Sequence, residues 1–128
     1  MPRSFKWFLE NRLLLKDETI KNLAKNHIEK ARNNIVTMEL LSKVTSFRDI
    51  LELSRDYDPN EWVVITAYYS MYMAALSVLA QLGYKSKNHS ATSISLEEFL
   101  VKKKLLEKEY LEIFEKIKVK KEEIEELS

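Results

Sequence analysis

The sequence predicts an all-α fold, an up-and-down bundle of about four helices with a short N-terminal helix. Three observations lead there. The stretch from Trp62 to Leu82 carries no charged residue. One glycine and two prolines in 128 residues leave few places to turn. The remaining apolar residues recur at three- and four-residue steps, flanked by lysine and glutamate. With 45% hydrophobic and 32% charged residues the chain is long enough for one core and too short for two. Residues 1–128 are therefore taken as a single domain, with 1–16 as a strap and 17–128 as the bundle.

The central helix is the best punctuated. Asp58 offers an N-cap oxygen, Pro59 suits the first turn, Glu61 has capping-box spacing, and Gly83 tolerates the left-handed conformation past the end. Apolar on every side, it is expected to be covered on every side. Ala67, Ser70, Ala74 and Ser77 form a small-residue stripe for close packing, beside a bulkier face of Tyr69, Met73, Leu76 and Ala80. Its length also admits a bilayer span of about 30 Å. Tyr68, Tyr69 and Tyr72 at mid-segment oppose that reading, because spanning helices keep tyrosine near the interfaces.

The other elements follow in order. Ser4 can cap a short helix carrying Phe5, Phe8, Leu9 and Leu13, which packs as a strap. Asp17 caps a long helix over residues 18–44, whose apolar positions include Ile20, Ala24, Ile28, Ala31 and Ile35. Phe47, Ile50, Leu51 and Leu53 suggest a helical turn or two in the connection that follows. Tyr84 to Ser90 reads as a polar loop with serine and asparagine caps. A third helix reaches Lys104, with Lys102, Lys103 and Lys104 in its last turn, where cations suit the dipole. The last helix starts near Leu106, with Leu106, Tyr110, Ile113, Ile117, Ile124 and Leu127 as its stripe.

Composition narrows function more than it defines it. A net charge of +1 argues against a surface that is wholly a nucleic-acid field. Without cysteine there is no thiolate metal site, disulfide or cysteine nucleophile, and no secretory signal opens the chain, so a cytoplasmic location and no membrane partner are the expectation. Glu-x-x-His pairs and Gly-rich phosphate loops are missing from the sequence, so no metal or nucleotide-triphosphatase cofactor chemistry is assigned.

The run from Ala67 to Ala75 (AYYSMYMAA), then Gly83-Tyr84, Lys85 to Lys87, His89-Ser90 and Leu96 to Leu100 resembles the HEPN family of prokaryotic helical bundles. The segment from Phe5 to Leu9, followed by Leu13 to Leu15, is similar to one subgroup of it. The resemblance implies a homodimer, or a dimer with a nucleotidyltransferase-like partner protein, and a nucleotide or RNA ligand between bundles. The ribonuclease branch of that family carries an arginine followed shortly by a histidine near the start of the final helix. Here the only histidines are His27 and His89, and neither has that arginine. Lys21 before His27 is the nearest approach and reads as coincidence.

The candidate ligand-binding residues are Lys85, Lys87, His89, Ser90, Tyr68 and Tyr69; none is assigned a catalytic role. Lys85, Lys87 and His89, at the start of a helix, can meet a phosphate with ammonium and backbone N–H groups. The ordinary reading of His89 is a cap or a packed hydrogen-bonding residue. A tyrosine lining a cleft can stack on any base, though a tyrosine on a core helix is ordinarily packed by its ring. The leading expectation is a HEPN-like module that dimerises and binds nucleotide, RNA or a partner. The alternatives are a ribonuclease toxin of a toxin–antitoxin pair and a purely structural adaptor.

Overall fold

The computed structural model of the protein describes residues 3–127 and is a helical bundle around one central helix. Helix α1 spans Phe5–Glu10, α2 Ala24–Lys43, α3 Asn60–Gln81, α4 His89–Leu96 and α5 Lys108–Leu127. Two strands join them, β1 at Leu14–Lys16 and β2 at Tyr84–Ser86, paired antiparallel with Leu15 opposite Lys85. The all-α expectation holds, with this small sheet as an addition.

The caps explain most boundaries. Ser4 accepts from the Trp7 N–H to start α1. Asp17 accepts from Thr19 through both its backbone N–H and its hydroxyl, but the helix it opens is first a 3-10 helix over Glu18–Leu23. The α-helix proper therefore begins six residues later than its first cap implied. Asp58 accepts from the Asn60 N–H at 2.9 Å, and Pro59, buried beside it, leads into α3. Gly83 sits at φ +84°, past the end of α3, as its lack of a Cβ permits.

Helices α2 and α3 make the tightest pair. The Ser70 hydroxyl donates to the Ala31 carbonyl at 3.0 Å and the Ser77 hydroxyl to the Ala24 carbonyl at 2.7 Å. A step of seven along α3 thus matches a step of seven back along α2, which is an antiparallel register with one serine contact every two turns. The small side chains let the backbones approach, and each buried hydroxyl finds an acceptor on the facing helix.

On the other side of α3 lies an aromatic core of Tyr68, Ala75, Leu96 and Phe114. A second cluster of Phe8, Leu14 and Ala91 fixes the N-terminal strap against α4. Pairing of β1 with β2 adds backbone hydrogen bonds to that attachment, and the Lys87 N–H continues them to the Leu13 carbonyl at 2.9 Å.

Four expectations need correction. Tyr84 to Ser90 is not a loop throughout, because Tyr84 and Ser86 turn inward around an outward Lys85 and pair with β1; three residues are too short a run for a period of two to show. Lys102, Lys103 and Lys104 lie beyond the third helix, not in its last turn. That helix widens into a π-helical turn at Glu97–Val101, and the chain reverses with Lys104 at φ +59°. The stripe of α5 is displaced: Phe114 is buried with Leu111 and Ile117 beside it, while Tyr110 and Ile113 are 58% and 45% exposed. The side chain of Leu127 lies outside the described residues. Finally, α3 is unbroken but not fully covered, since 33% of its most apolar 18 residues are buried. Ala74 and Leu76 are half-buried.

Candidate functional site: an interhelical clasp and an open groove

Asn88 caps α4 by accepting from the Ala91 N–H at 2.8 Å, which places His89 at the first helical position. From there the imidazole turns inward, with 9% of its side chain exposed. Its Nδ1 lies 2.8 Å from the Tyr68 hydroxyl on α3 and its Nε2 lies 2.8 Å from the Glu115 carboxylate on α5. A carboxylate only accepts, so Nε2 carries the proton and donates to Glu115; Nδ1 then accepts from Tyr68. Three helices are thereby joined through one neutral ring with no hydrogen-bonding valence left over.

The rings pack as well as bond. Phe114 stacks on Tyr68 with centroids 5.7 Å apart and lies 4.5 Å from His89. Tyr72 stacks on the same Tyr68 at 5.8 Å. Burial pushes the His89 pKa down, against the opposing pull of the Glu115 hydrogen bond and charge. Burial likewise pushes the Tyr68 phenol well above its ordinary value, with the neighbouring Tyr72 and Tyr69 adding to the rise. Both groups are held neutral, the state that a closed donor–acceptor chain requires.

Lys121 reaches over this cluster from α5, its ammonium 5.0 Å from the Tyr68 ring and 5.3 Å from the Tyr69 ring. Burial lowers its pKa, but the Glu125 carboxylate at 2.6 Å and Tyr69 together outweigh that and leave it raised. The Lys121 ammonium is thus satisfied within the chain.

The six candidate residues do not share one pocket. Tyr68 and His89 meet inside the clasp, and Tyr69 touches Tyr68 edge-on at 5.3 Å. Lys85 points outward from β2 beside a cavity of about 170 Å³ that also contains His27 and Leu76. Lys87 is exposed, its backbone committed to Leu13. Ser90 lines a cleft of about 360 Å³ with Arg3, Phe8, Ser93 and the carboxylates of Glu97 and Glu115. His27 Nδ1 is buried without a hydrogen-bond partner, and burial, with Lys30 nearby, lowers its pKa. Lys21 pairs with Glu18 instead of His27. Among the described residues no group of three or more His, Asp or Glu side chains converges as metal ligands would.

Tyr69 is 40% exposed, in contrast to its neighbour. With Met73 it forms the apolar side of a groove of about 280 Å³ whose α2 side is Lys30, Asn33, Asn34 and Thr37. An almost wholly apolar opening lies elsewhere. Met71, Ala74 and Val78 of α3 face Tyr110, Ile113 and Phe114 of α5 across a groove of about 320 Å³ with almost no polar lining. Sequence reasoning missed Glu115, Phe114 and Lys121 because it set the α5 stripe one residue off. Centred on Phe114, the same periodicity puts Glu115 and Lys121 at the edge of a buried face, where a charge needs a partner.

The fold and these features define a helical bundle with a closed polar clasp and an uncovered apolar groove. Comparison with known proteins finds no family model, no curated protein and no solved structure that matches the chain.

Proposed function

We propose that this chain is a non-catalytic, HEPN-like helical interaction module whose working surface is the groove between α3 and α5, where a protein partner seats. The observation that carries this reading is the groove itself, about 320 Å³ in volume and lined almost wholly by apolar side chains of α3, of Leu96 and Leu100 on the third-helix segment, and of α5. Concave, mostly apolar openings are the usual form of binding sites on folded proteins. The clasp supports the non-catalytic part. His89 is the one imidazole hydrogen-bonded to both a phenol and a carboxylate, yet both of its nitrogens are engaged and the ring is held neutral and inward. A general base needs an open valence toward its substrate.

The test is a photo-crosslinker at Ile113 on the groove rim, with Lys25 on the outer face of α2 as control, in the cells that make the protein. Crosslinks at Ile113 and not at Lys25 are expected. A second arm incubates purified protein with single-stranded RNA in the presence and absence of a chelator. No crosslink at Ile113, or RNA cleavage by wild type that a Lys87 and His89 double-alanine variant loses, overturns the reading.

One observation favours a second reading, binding of a nucleotide or RNA base. The exposed Tyr69 ring, the amides of Asn33 and Asn34 and the Lys30 ammonium border one groove, and an aromatic face beside polar edges and a cation suits a base with its phosphate. Titration with labelled adenine nucleotides and single-stranded RNA, against Tyr69→Ala, tests it. Saturable binding weakened several-fold by the substitution is the outcome this reading requires.

A further inference from the structure

The second histidine, which the clasp does not use, borders a cavity of its own. His27 sits in the first turn of α2, and its Nδ1 is buried with no hydrogen bond from any described residue. Burial, with Lys30 adding to it, lowers its pKa. The ring is therefore neutral at pH 7, with one N–H and one lone pair. A proton on the sealed Nδ1 would have no acceptor at all, so it sits on Nε2, on the free edge of the ring. His27 lines the cavity of about 170 Å³ beside Lys85, which shares no residue with the groove between α3 and α5. A leucine there would bury no polar atom. What the imidazole adds is a hydrogen-bond donor on a wall that is otherwise apolar.

The walls and the mouth set what can enter. Ile20, Leu23 and Leu76 supply the apolar lining. A cavity of about 150 Å³ with comparable walls accepts benzene, so this one has room for a single six-membered ring or a short branched chain. The remaining polar groups are unequal. The Ser86 hydroxyl is taken up by the Asn88 carbonyl and the Thr92 hydroxyl, and the Tyr84 ring packs on Phe5 and Phe99. Lys85 is exposed, and its four-carbon stem lets the ammonium stand over the opening. The carboxylates of this neighbourhood are already engaged, Asp17 by Thr19 and Glu18 by Lys21, and neither lines the cavity. An apolar body is thus matched inside, and two donors, one of them cationic, are matched by an anionic acceptor at its end.

We propose that this cavity binds a small monocarboxylate whose apolar body is no larger than a six-membered ring, the body set against Ile20, Leu23 and Leu76 and the carboxylate accepting from His27 Nε2 and pairing with Lys85. The site is independent of the partner groove and stands or falls separately from it.

The experiment titrates the full chain with benzoate and with isovalerate, read by calorimetry and by the imidazole nitrogen signals in long-range proton–nitrogen NMR spectra. His27→Phe identifies which signals belong to His27. At least one of the two acids is expected to saturate with a dissociation constant of about 1 mM or tighter, as ligands of this size can reach, and to shift the His27 signals while those of His89 stay in place. Acetate, which has the head without the body, and benzylamine, which has the body with the opposite charge, are each expected to bind at least tenfold more weakly. Lys85→Gln and His27→Phe are each expected to weaken the acid at least tenfold, and Leu76→Phe, which fills the cavity, to abolish binding with the helical circular dichroism retained. Lys85 is on the surface, so its variant tests the carboxylate contact even where His27→Phe perturbs folding. The proposal is overturned if neither acid saturates at ten times that concentration, if the His27 signals do not respond, as they would not where water alone serves the ring, or if binding survives Lys85→Gln and Leu76→Phe.

Discussion

Tyr68→Phe isolates the clasp from the packing around it. The substitution keeps the ring that stacks on Phe114 and Tyr72 and removes only the hydroxyl that donates to His89 Nδ1 at 2.8 Å. With 9% of the His89 side chain exposed, water has poor access to the orphaned nitrogen. Losing one partner of a buried hydrogen bond costs about 1–3 kcal/mol, because the other stays desolvated and unpaired. For a chain of this length about 2 kcal/mol lowers Tm by roughly 6–10 °C. Urea denaturation of wild type, Tyr68→Phe, Glu115→Gln and the double variant gives both the single costs and their coupling. Residues sharing one hydrogen-bonded ring are expected to couple by about 0.5–3 kcal/mol. If Tyr68→Phe matches wild type within ~0.3 kcal/mol and the cycle shows no coupling, the His89 ring is not bridging the helices as described.

Acid should destabilise the fold before carboxylates titrate. Burial lowers the pKa of both His89 and His27 below the ordinary 6.5, so below pH 6.5 the unfolded chain binds more protons and stability falls as pH drops, while above that value the contribution is fully present; a urea midpoint unchanged from pH 8 to pH 5 would contradict this. Leu79→Ala empties a fully buried site at 0% exposure in α3, and a loss of about 2–5 kcal/mol in chemical denaturation is expected. Gly83→Ala forces an alanine to φ +84° with its Cβ 2.9 Å from Glu18 Oε1. The carboxylate end swings away easily, so the expected loss in the same assay is the backbone term of about 1–2 kcal/mol.

What the sequence made legible were the features carried by single residues and by long periods. Ser4, Asp17, Asp58 and Gly83 each act at the ends where their chemistry placed them, because a cap needs only its own side chain and the nearest backbone. The serines of α3 pointed to close packing, and their hydroxyls do meet α2. Long-range partners were not legible. Nothing local to Tyr84–Ser86 shows that Leu14–Lys16 will lie beside it, and the phase of α5 depends on which of two apolar rows faces α3. Tyr110 and Ile113 are spaced as Leu111 and Phe114 are, and Ile117 continues either row. Burial chose the row whose Phe114 ring stacks on Tyr68 and left Tyr110 and Ile113 open. The candidate site suffered from the same gap: Tyr68, His89 and Ser90 were named, but Glu115, which decides that the imidazole points inward, sits on the helix whose phase was misjudged.

The two adjacent tyrosines show how one helix serves two purposes. Successive residues on α3 are about 100° apart around its axis, so Tyr68 and Tyr69 leave it in different directions, although Lys121 of α5 reaches both rings. Tyr68 falls among α4 and α5, where its hydroxyl has a fixed acceptor and its ring is enclosed. Tyr69 falls toward α2, where the facing side chains are Asn33, Asn34 and Thr37 and its ring stays partly open. A third side, through Met71, Ala74 and Val78, opens on a groove whose other walls are Leu96, Leu100 and the Ile113 and Phe114 side of α5. The first side is closed by hydrogen bonds and stacked rings, so opening it breaks several interactions together, and it anchors the bundle. The third is held by no hydrogen bond, only by surface that water covers poorly, and seating a partner there costs no buried polar contact. The chemistry that stabilises this chain and the surface that offers itself to a partner are therefore on different faces of the same helix, and a substitution such as Ile113→Glu can remove the second while leaving the first intact.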